Sequence, residues 1–172
     1  MADQSRARVS IYTDGACRGN PGPGGYGVIL VSGKHTRELS AGYARTTNNR
    51  MELMAAIAGL EALKVPCEVT LCSDSSYLVD AINKNWIAGW RAKGWSRGRA
   101  GALKNADLWQ RLDAVRQKHR ITWQWVRGHA GHAQNERCDV LATEAADRPS
   151  RLPDEGFQAA EALAQSNSDQ LL

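Results

Sequence analysis

The chain has 172 residues, of which 42% are hydrophobic and 23% are charged, and its formal net charge is +4. This length is typical of one globular domain, and the composition excludes a chain that is disordered throughout and a collagen-like chain. No apolar run is long enough to span a membrane, and the first residues show no basic and apolar leader. The four cysteines have neither paired zinc spacing nor the density of a disulfide scaffold. We therefore expect a cytoplasmic protein without a membrane anchor.

The first part of the chain predicts three strands joined by short turns. Residues 8–14 alternate apolar and polar side chains in a β-favouring stretch, and residues 26–31 and 36–44 predict two further strands. Residues 19–25 are so rich in Gly and Pro that they predict a turn. Strands with such short connections form an antiparallel meander.

The following segments alternate between helices and strands. N-capping residues at 46–49 precede a strongly apolar helix, which Pro66 brings to an end. Two strands are predicted at 68–74 and 121–126, and further helices at 77–83, 86–93, 103–119 and 135–146. Such an alternation after a meander predicts an α/β domain, in which helices cover a mixed sheet.

The composition changes from Arg148 onward. Pro149 and Pro153 break helices, and Ser and Gln become frequent. We predict that residues 148–172 are a mostly disordered tail, with at most one weak helix near residues 157–163.

Basic residues are concentrated between Lys84 and Arg120, where ten of them stand against two acids. Such an excess indicates a surface for a polyanion, and nucleic acid is the commonest polyanion. A solvated helix face is the alternative interpretation. No apolar seam is evident, so we expect a monomer.

Four carboxylates lie where they would cost stability if they had no function. Asp14 and Asp74 each end a strand, Glu52 lies early in the most apolar helix, and Asp139 lies among apolar residues of the last helix of the domain. An isolated buried carboxylate costs several kcal/mol unless it is paired or binds a metal.

Each of these acids also has an ordinary interpretation. Asp14 and Asp74 are compatible with strand-end turns, Glu52 with the dipole of its helix, and Asp139 with a solvent-facing position. Functional sites in α/β sheets gather at the carboxyl ends of strands, so Asp14 and Asp74 meet if their strands are neighbours. Oxygen ligands without thiolates favour Mg²⁺ or Mn²⁺ over zinc.

Several motifs, in this order along the chain, resemble those of bacterial type 1 ribonucleases H. They are Thr13-Asp14-Gly15, Gly19-Asn20-Pro21-Gly22-Pro23-Gly24-Gly25-Tyr26-Gly27, Thr47-Asn48-Asn49-Arg50-Met51-Glu52, Ser73-Asp74-Ser75, Gly128-His129-Ala130-Gly131-His132 and Asn135-Glu136-Arg137-Cys138-Asp139. The resemblance covers residues 6–147, and it implies a ribonuclease H-like domain over that range. The implied fold is a five-stranded mixed sheet with helices on both faces, in which the first and fourth strands are parallel neighbours.

The resemblance also implies an activity and its active-site residues. The activity is endonucleolytic hydrolysis of the RNA strand of an RNA–DNA hybrid by two Mg²⁺ ions, giving 5′-phosphate and 3′-hydroxyl ends. The acidic quartet of the family corresponds to Asp14, Glu52, Asp74 and Asp139. Its loop histidine corresponds to His129, as a proton carrier or an aid to product release, although a loop histidine is usually an incidental surface residue.

The substrate contacts of the family are carried over in the same way. Contacts to the minor groove correspond to Asn20, Asn48 and Asn49, whose alternative role is to form turns and caps. Ser76 stands in place of the usual minor-groove Gln, and Cys17 is expected beside the substrate without being a nucleophile. The pocket for one DNA phosphate corresponds to Thr47, Arg50 and Asn105. The basic protrusion corresponds to residues 86–101, with Trp86 and Trp90, whereas Trp109, Trp123 and Trp125 are expected in the core.

Two other functions remain open at this point. One is a nuclease of the same fold that acts on DNA, against which the paired asparagines and the basic protrusion argue. The other is a hybrid-binding module without catalysis, against which the complete acidic quartet argues. Fold alone decides neither question.

Overall fold

A computed structural model describes residues 6–127 and 132–170. Its strands are β1 (Ala7–Cys17), β2 (Gly22–Ser32), β3 (His35–Thr46), β4 (Cys67–Ser73) and β5 (Arg120–Trp125). Its helices are α1 (Asn48–Glu61), α2 (Ser76–Asn83), α3 (Trp86–Ala92), α4 (Ala106–Arg116), α5 (Ala133–Ala146) and α6 (Glu155–Gln170). None of the helices described is long and apolar enough to cross a lipid bilayer.

The five strands form one mixed sheet in the order β3-β2-β1-β4-β5. The pairs β1–β2 and β2–β3 are antiparallel, whereas β1–β4 and β4–β5 are parallel. In the parallel pair, Thr13 of β1 lies opposite Ser73 of β4. The predicted sheet is confirmed, and its register places the residues that follow Thr13 and Ser73 at the same edge.

Helices cover both faces of the sheet. On one face, buried residues of α1, α2 and α4 pack together with those of β1 and β4, and Leu53, Ile57 and Trp109 are fully buried there. On the other face, Cys138 and Leu141 of α5 pack against Ile29 of β2. Helix α1 is apolar on most of its circumference because it lies deep in the core on the face that it shares with α2 and α4.

Several element boundaries differ from the sequence-based expectation, and two of these differences have a clear physical cause. Strand β2 begins at Gly22 instead of Tyr26, because Gly24 and Gly25 pair with both β1 and β3. Cross-strand pairing thus overrides the low strand propensity of glycine. Helix α4 begins at Ala106 because Asn105 before it has a left-handed backbone, with φ of 61°.

The prediction of a mostly disordered tail is wrong for the residues after Pro153. Residues Glu155–Gln170 form α6, and Leu152 pairs with the edge strand β3 through hydrogen bonds to Gly42 and Ala44. Asp154 begins the helix, because its side chain accepts a hydrogen bond from the Phe157 backbone N–H at 3.2 Å. Its carboxylate is fixed by partners far away in the chain, which local composition does not reveal.

Candidate active site

The structure brings three of the four predicted carboxylates together at one edge of the sheet. Asp14 belongs to the last part of β1, Asp74 directly follows β4, and Glu52 lies in the second turn of α1. One carboxylate oxygen from each of these residues lies within 4.8 Å of the others. We call these three residues the carboxylate cluster. The spacing allows them to share a cation.

Gly15 allows α1 to approach β1 closely enough to form the cluster. A Cβ atom at Gly15 would lie 2.6 Å from the backbone nitrogen of Glu52 and 2.7 Å from the carbonyl carbon of Met51. Real Cβ atoms do not make contacts this short, so only glycine fits here. The sequence motif contains this glycine, but the reason for it lies in the packing of α1 against β1.

Glu52 has a buried carboxylate oxygen that nothing in the described protein satisfies. The residue is only 4% exposed, and its Oε2 atom has no hydrogen-bond partner among the described residues. Since an unpartnered buried carboxylate is costly, the site has the character of an incomplete ligand shell. Three hard oxygen donors suit Mg²⁺ or Mn²⁺, so the residues fit the expected ions.

Burial raises the pKa values of Asp14 and Glu52 more than charge repulsion does. Burial is the main reason why the pKa of Asp14 rises to about 7, and the charges of Asp74 and Asp139 act in the same direction. Burial likewise raises the pKa of Glu52 well above its ordinary value, followed by the charges of Asp14 and Asp74. Cations at this site would remove the repulsion and keep the carboxylates ionised.

Asp139 lies beside the carboxylate cluster, on α5, and is not one of the three residues that share the 4.8 Å spacing. The charge of Asp139 nevertheless contributes to the raised pKa of Asp14, after burial and the charge of Asp74. The preceding residue fixes α5 to the sheet, because the Cys138 thiol donates to the Tyr12 carbonyl at 3.3 Å. Burial raises the pKa of this thiol to about 12, so Cys138 has a packing role.

His129, the predicted proton carrier, lies outside the described residues. Helix α5 begins at Ala133.

The predicted minor-groove contacts lie on the surface around the turn before β2 and the start of α1. Asn20, Asn48, Asn49 and Ser76 are exposed, and Cys17 is half-buried. The Asn20 side-chain oxygen accepts a hydrogen bond from the Asn48 backbone N–H at 2.9 Å, which holds the two loops together. The Cys17 thiol donates to the Thr46 carbonyl at 3.4 Å.

Arg50 does not have the position that we expected for a phosphate-binding residue. Its side chain is only 3% exposed, and its guanidinium binds Asp154 at 2.8 Å and Asp107 at 2.7 Å. It also donates to the Asn105 side-chain oxygen at 3.3 Å. Thr47 accepts from the Arg50 backbone N–H as the N-cap of α1. Arg50 is therefore a buried structural cation, which two carboxylates neutralise.

Arg45 is a cation near Thr47 that the sequence-based prediction missed. Its side chain is half exposed at the end of β3, and it binds Glu161 of α6 with an Nη–O distance of 2.8 Å. The sequence offered one indication that Arg45 lies near the proposed phosphate pocket, namely its position two residues before Thr47.

The tryptophans divide between the surface and the core. Trp86 is 44% exposed, and the Lys84 ammonium lies 5.6 Å from the centroid of its ring. Trp90 is half-buried and packs against Trp109, with a distance of 5.1 Å between the ring centroids. Trp109 is fully buried as predicted, and Trp123 is partly buried against the same core.

Trp125 corrects the prediction that it belongs to the core. It is 52% exposed, and its indole N–H donates to the Asp74 backbone carbonyl at 3.0 Å. As the last residue of β5, it lies across from Ser73 in the parallel pair β4–β5. It therefore supports the chain at the point where Asp74 enters the carboxylate cluster.

Comparison with known protein families gives one match that spans most of the chain. The RNase H family model matches residues 6–147. The chain is 56% identical over 151 residues to the protein named Ribonuclease H from Shewanella amazonensis, covering 88% of this chain and 96% of the relative. It is 58% identical over 156 residues to Ribonuclease H from Syntrophus aciditrophicus, covering 91% and 90%.

Solved structures show the same similarity in three dimensions. LC9-RNase H1, a type 1 RNase H with the type 2 active-site motif, has a TM-score of 0.74 and 37% identity, covering 82% of this chain and 72% of that chain. LC11-RNase H1 in complex with an RNA/DNA hybrid has a TM-score of 0.62 and 28% identity, covering 81% and 96%.

Proposed function

The chain belongs to the bacterial type 1 ribonuclease H family, and from this premise we propose that it cleaves the RNA strand of RNA–DNA hybrids by two-metal-ion catalysis. Ribonuclease H is an endonuclease, and the expected products carry 5′-phosphate and 3′-hydroxyl ends. The observation that carries the mechanistic proposal is the carboxylate cluster, with its buried and unpartnered Glu52 oxygen. A buried carboxylate oxygen without a hydrogen-bond partner lowers stability, unless a cation offsets this cost during the reaction.

The four acids are proposed as the metal ligands. Asp14 would bridge the two ions, Glu52 and Asp74 would complete one site, and Asp139 would complete the other. Two Mg²⁺ ions, when bound, would lower the pKa of the attacking water and stabilise the leaving oxygen. The buried position of Asp14 and Glu52 supports this assignment, because their ionised forms need a cationic neighbour.

The other proposed roles concern proton transfer and recognition of the ribose. His129, which precedes α5 in the sequence, would carry a proton or assist product release. Glu52 would also accept a hydrogen bond from the ribose 2′-hydroxyl, the group that distinguishes RNA from DNA. The exposed amides of Asn20, Asn48 and Asn49, with Cys17 beside them, would contact sugars and base edges in the minor groove.

The hybrid would be held by a surface that extends from α1 to α3. Trp86 and the exposed cations of the protrusion would contact the DNA strand, and Thr47 and Asn105 would bind one phosphate. LC11-RNase H1, a related chain, was solved in complex with an RNA/DNA hybrid, which supports a hybrid as the ligand proposed here. Phosphate contacts make such binding strongly dependent on salt. We propose that one copy of the chain suffices, since all four acids come from the same chain.

One experiment tests the proposed activity against both alternatives. The full chain is incubated with end-labelled RNA–DNA, RNA–RNA and DNA–DNA duplexes of one sequence, with Mg²⁺ or with EDTA. We expect cleavage of the RNA strand of the hybrid only, and only with Mg²⁺. Efficient cleavage of the DNA duplex would favour the DNA-directed nuclease, and binding of the hybrid without cleavage would favour the non-catalytic module.

A further inference from the structure

Helix α6 places a carboxylate on a cation beside the proposed hybrid-binding surface. Arg45 lies near the end of β3, two residues before Thr47, which caps α1. Its guanidinium donates from Nε to both oxygens of Glu161, at 3.0 and 3.2 Å, and from one Nη to Glu161 at 2.8 Å. A guanidinium binds a phosphate with the same forked geometry that it uses for a carboxylate. Glu161 thus occupies the donors that a nucleic-acid phosphate would use.

The beginning of α6 is firmly anchored. Asp154 is only 7% exposed, and it accepts hydrogen bonds from Thr46 at 2.6 Å and from Arg50 at 2.8 Å. A Cβ atom at Gly156 would overlap with Asp107 Oδ2 and would lie 2.7 Å from an Arg50 nitrogen, so the first turn of α6 packs directly on this network. The contacts of Asp154 and Gly156 can therefore stay in place when a ligand binds Arg45.

The rest of α6 is held much more weakly. None of its residues is buried, and Phe157 and Glu161 are only partly covered. Within the part of the chain that the structure describes, Glu161 makes the one recorded ion pair between α6 and the domain. A helix of 16 residues without a buried face is marginally stable in water, and weakly packed segments open locally at low cost.

The charge of the α6 segment is opposite to that of the basic stretch of the sequence. Residues 152–172 contain four acids and no Lys or Arg, whereas the stretch from Lys84 to Arg120 is strongly basic. An acidic segment next to a polyanion-binding surface repels the incoming nucleic acid and competes with it for the same cations.

We propose that α6 is an intramolecular competitor of the nucleic-acid backbone, in which Glu161 holds Arg45 in the free protein. Hybrid binding displaces α6 from Phe157 onward, a phosphate replaces the Glu161 carboxylate, and the anchor at Asp154 stays in place. This inference rests on the proposed hybrid-binding function. It assigns to α6 a regulatory contact that weakens binding most at low ionic strength, where the ion pair is least screened.

The test compares E161Q with a matched control in the full-length chain. Glu155 is an exposed acid of the same helix, for which no ion pair is recorded among the described residues, so E155Q removes the same charge without releasing Arg45. Dissociation constants for a labelled RNA–DNA hybrid are measured by fluorescence anisotropy in EDTA at low salt. We expect E161Q to bind about two- to fivefold more tightly than the wild type, as typical for loss of one surface pair, and E155Q to differ little.

Two further measurements separate competition from a merely structural contact. In an R45Q background, E161Q should leave the dissociation constant unchanged, because the cation that it releases is absent. Hydrogen exchange of the wild type should show faster exchange of amides after Phe157 when the hybrid binds, with unchanged exchange near Asp154. Both results follow only if Glu161 and the hybrid compete for Arg45.

The outcomes distinguish this inference from the proposed function. A wild-type chain that neither binds the hybrid nor cleaves it with Mg²⁺ overturns the proposed function, and this inference with it. Normal cleavage with equal dissociation constants for wild type, E155Q and E161Q overturns the role of α6 alone. Unchanged protection of α6 in the bound state has the same meaning.

Discussion

The indole N–H of Trp125 donates to the backbone carbonyl of Asp74 at 3.0 Å, and so links the end of β5 to the residue that β4 delivers to the carboxylate cluster. The two residues are 51 positions apart, and the parallel pairing of β4 with β5 brings them together. Trp125 is therefore a positioning residue, although its side chain is half exposed.

We expect W125F to impair catalysis more than stability. The loss of one hydrogen bond costs about 0.5–1.5 kcal/mol of stability. Displacement of the backbone that carries the proposed ligand Asp74 should lower kcat about 10- to 100-fold, as for other contacts that orient metal ligands. The measurements are kcat for hybrid cleavage and Tm. W123F serves as the control, because Trp123 lies opposite Leu71 of β4 and packs against the core. Equal loss of kcat in both variants would contradict the positioning role.

We expect G15A to be destabilised and inactive. The added methyl group would push α1 away from β1 at Glu52, and overpacking of this kind costs about 1–3 kcal/mol. G89A is the matched control, because Gly89 lies in α3 with open space around its Cβ position. That variant should gain up to about 1 kcal/mol from helix propensity. Urea unfolding and a cleavage assay check both; an active and stable G15A would show that the cluster tolerates separation.

The stability of the metal-free protein should fall as the pH rises from 5 to 8. The pKa of Asp14 is 3.8 in an ordinary setting and about 7 in the folded protein. The folded state therefore binds this proton more tightly, so the stabilisation is complete below pH 4 and is lost as the pH approaches 7.

D14N tests this pH dependence, since its amide stays neutral at every pH. In EDTA, the wild type should lose more than about 1 kcal/mol between pH 5 and 8 by urea unfolding, and D14N should lose less. A residual slope is expected because the pKa of Glu52 is also raised. D169N, at an exposed acid of α6, should keep the slope of the wild type; a D14N slope equal to that of the wild type would refute the buried-acid explanation.

We expect H129A and D14N to differ in the completeness of their defect. H129A should lower kcat by about 10²–10⁴-fold, the range for loss of a general acid or base, and leave measurable Mg²⁺-dependent cleavage. D14N should show no cleavage above background, because the proposed bridging ligand is absent. Single-turnover assays at saturating hybrid separate these outcomes, and complete loss in both variants would contradict the division of roles.

D154N should be strongly destabilised, although Asp154 has no proposed role in catalysis. Breaking a buried ion pair costs about 3–5 kcal/mol when one partner remains, and Asp107 retains part of the compensation for Arg50, so we expect about 2–4 kcal/mol. Urea unfolding of D154N and of the surface control E155Q measures this difference. A deletion of residues 149–172 should likewise destabilise the domain, since it also removes Asp154.

Local pattern was sufficient for most of the elements and failed where long-range partners decide. The caps and apolar residues of the sequence predicted the helix observed at residues 48–61. Apolar alternation and turn residues predicted the five strands. The early start of β2 and the formation of α6 were not predicted, because they depend on cross-strand pairing and on the Asp154–Arg50 ion pair. Trp125 was placed in the core because aromatic residues in strands usually are, whereas the edge position of β5 exposes it.

The amino-acid order alone determined the α/β class and the family and predicted the four acids, since propensities and motifs depend on residues that are close in sequence. Only the tertiary structure decided how the residues are used: that Glu52 keeps a buried oxygen without a partner, that Arg50 is neutralised by an acid 104 residues away, and that Glu161 covers Arg45. Burial and charge pairing depend on distances in space, and these are set by packing between segments that the chain order keeps far apart.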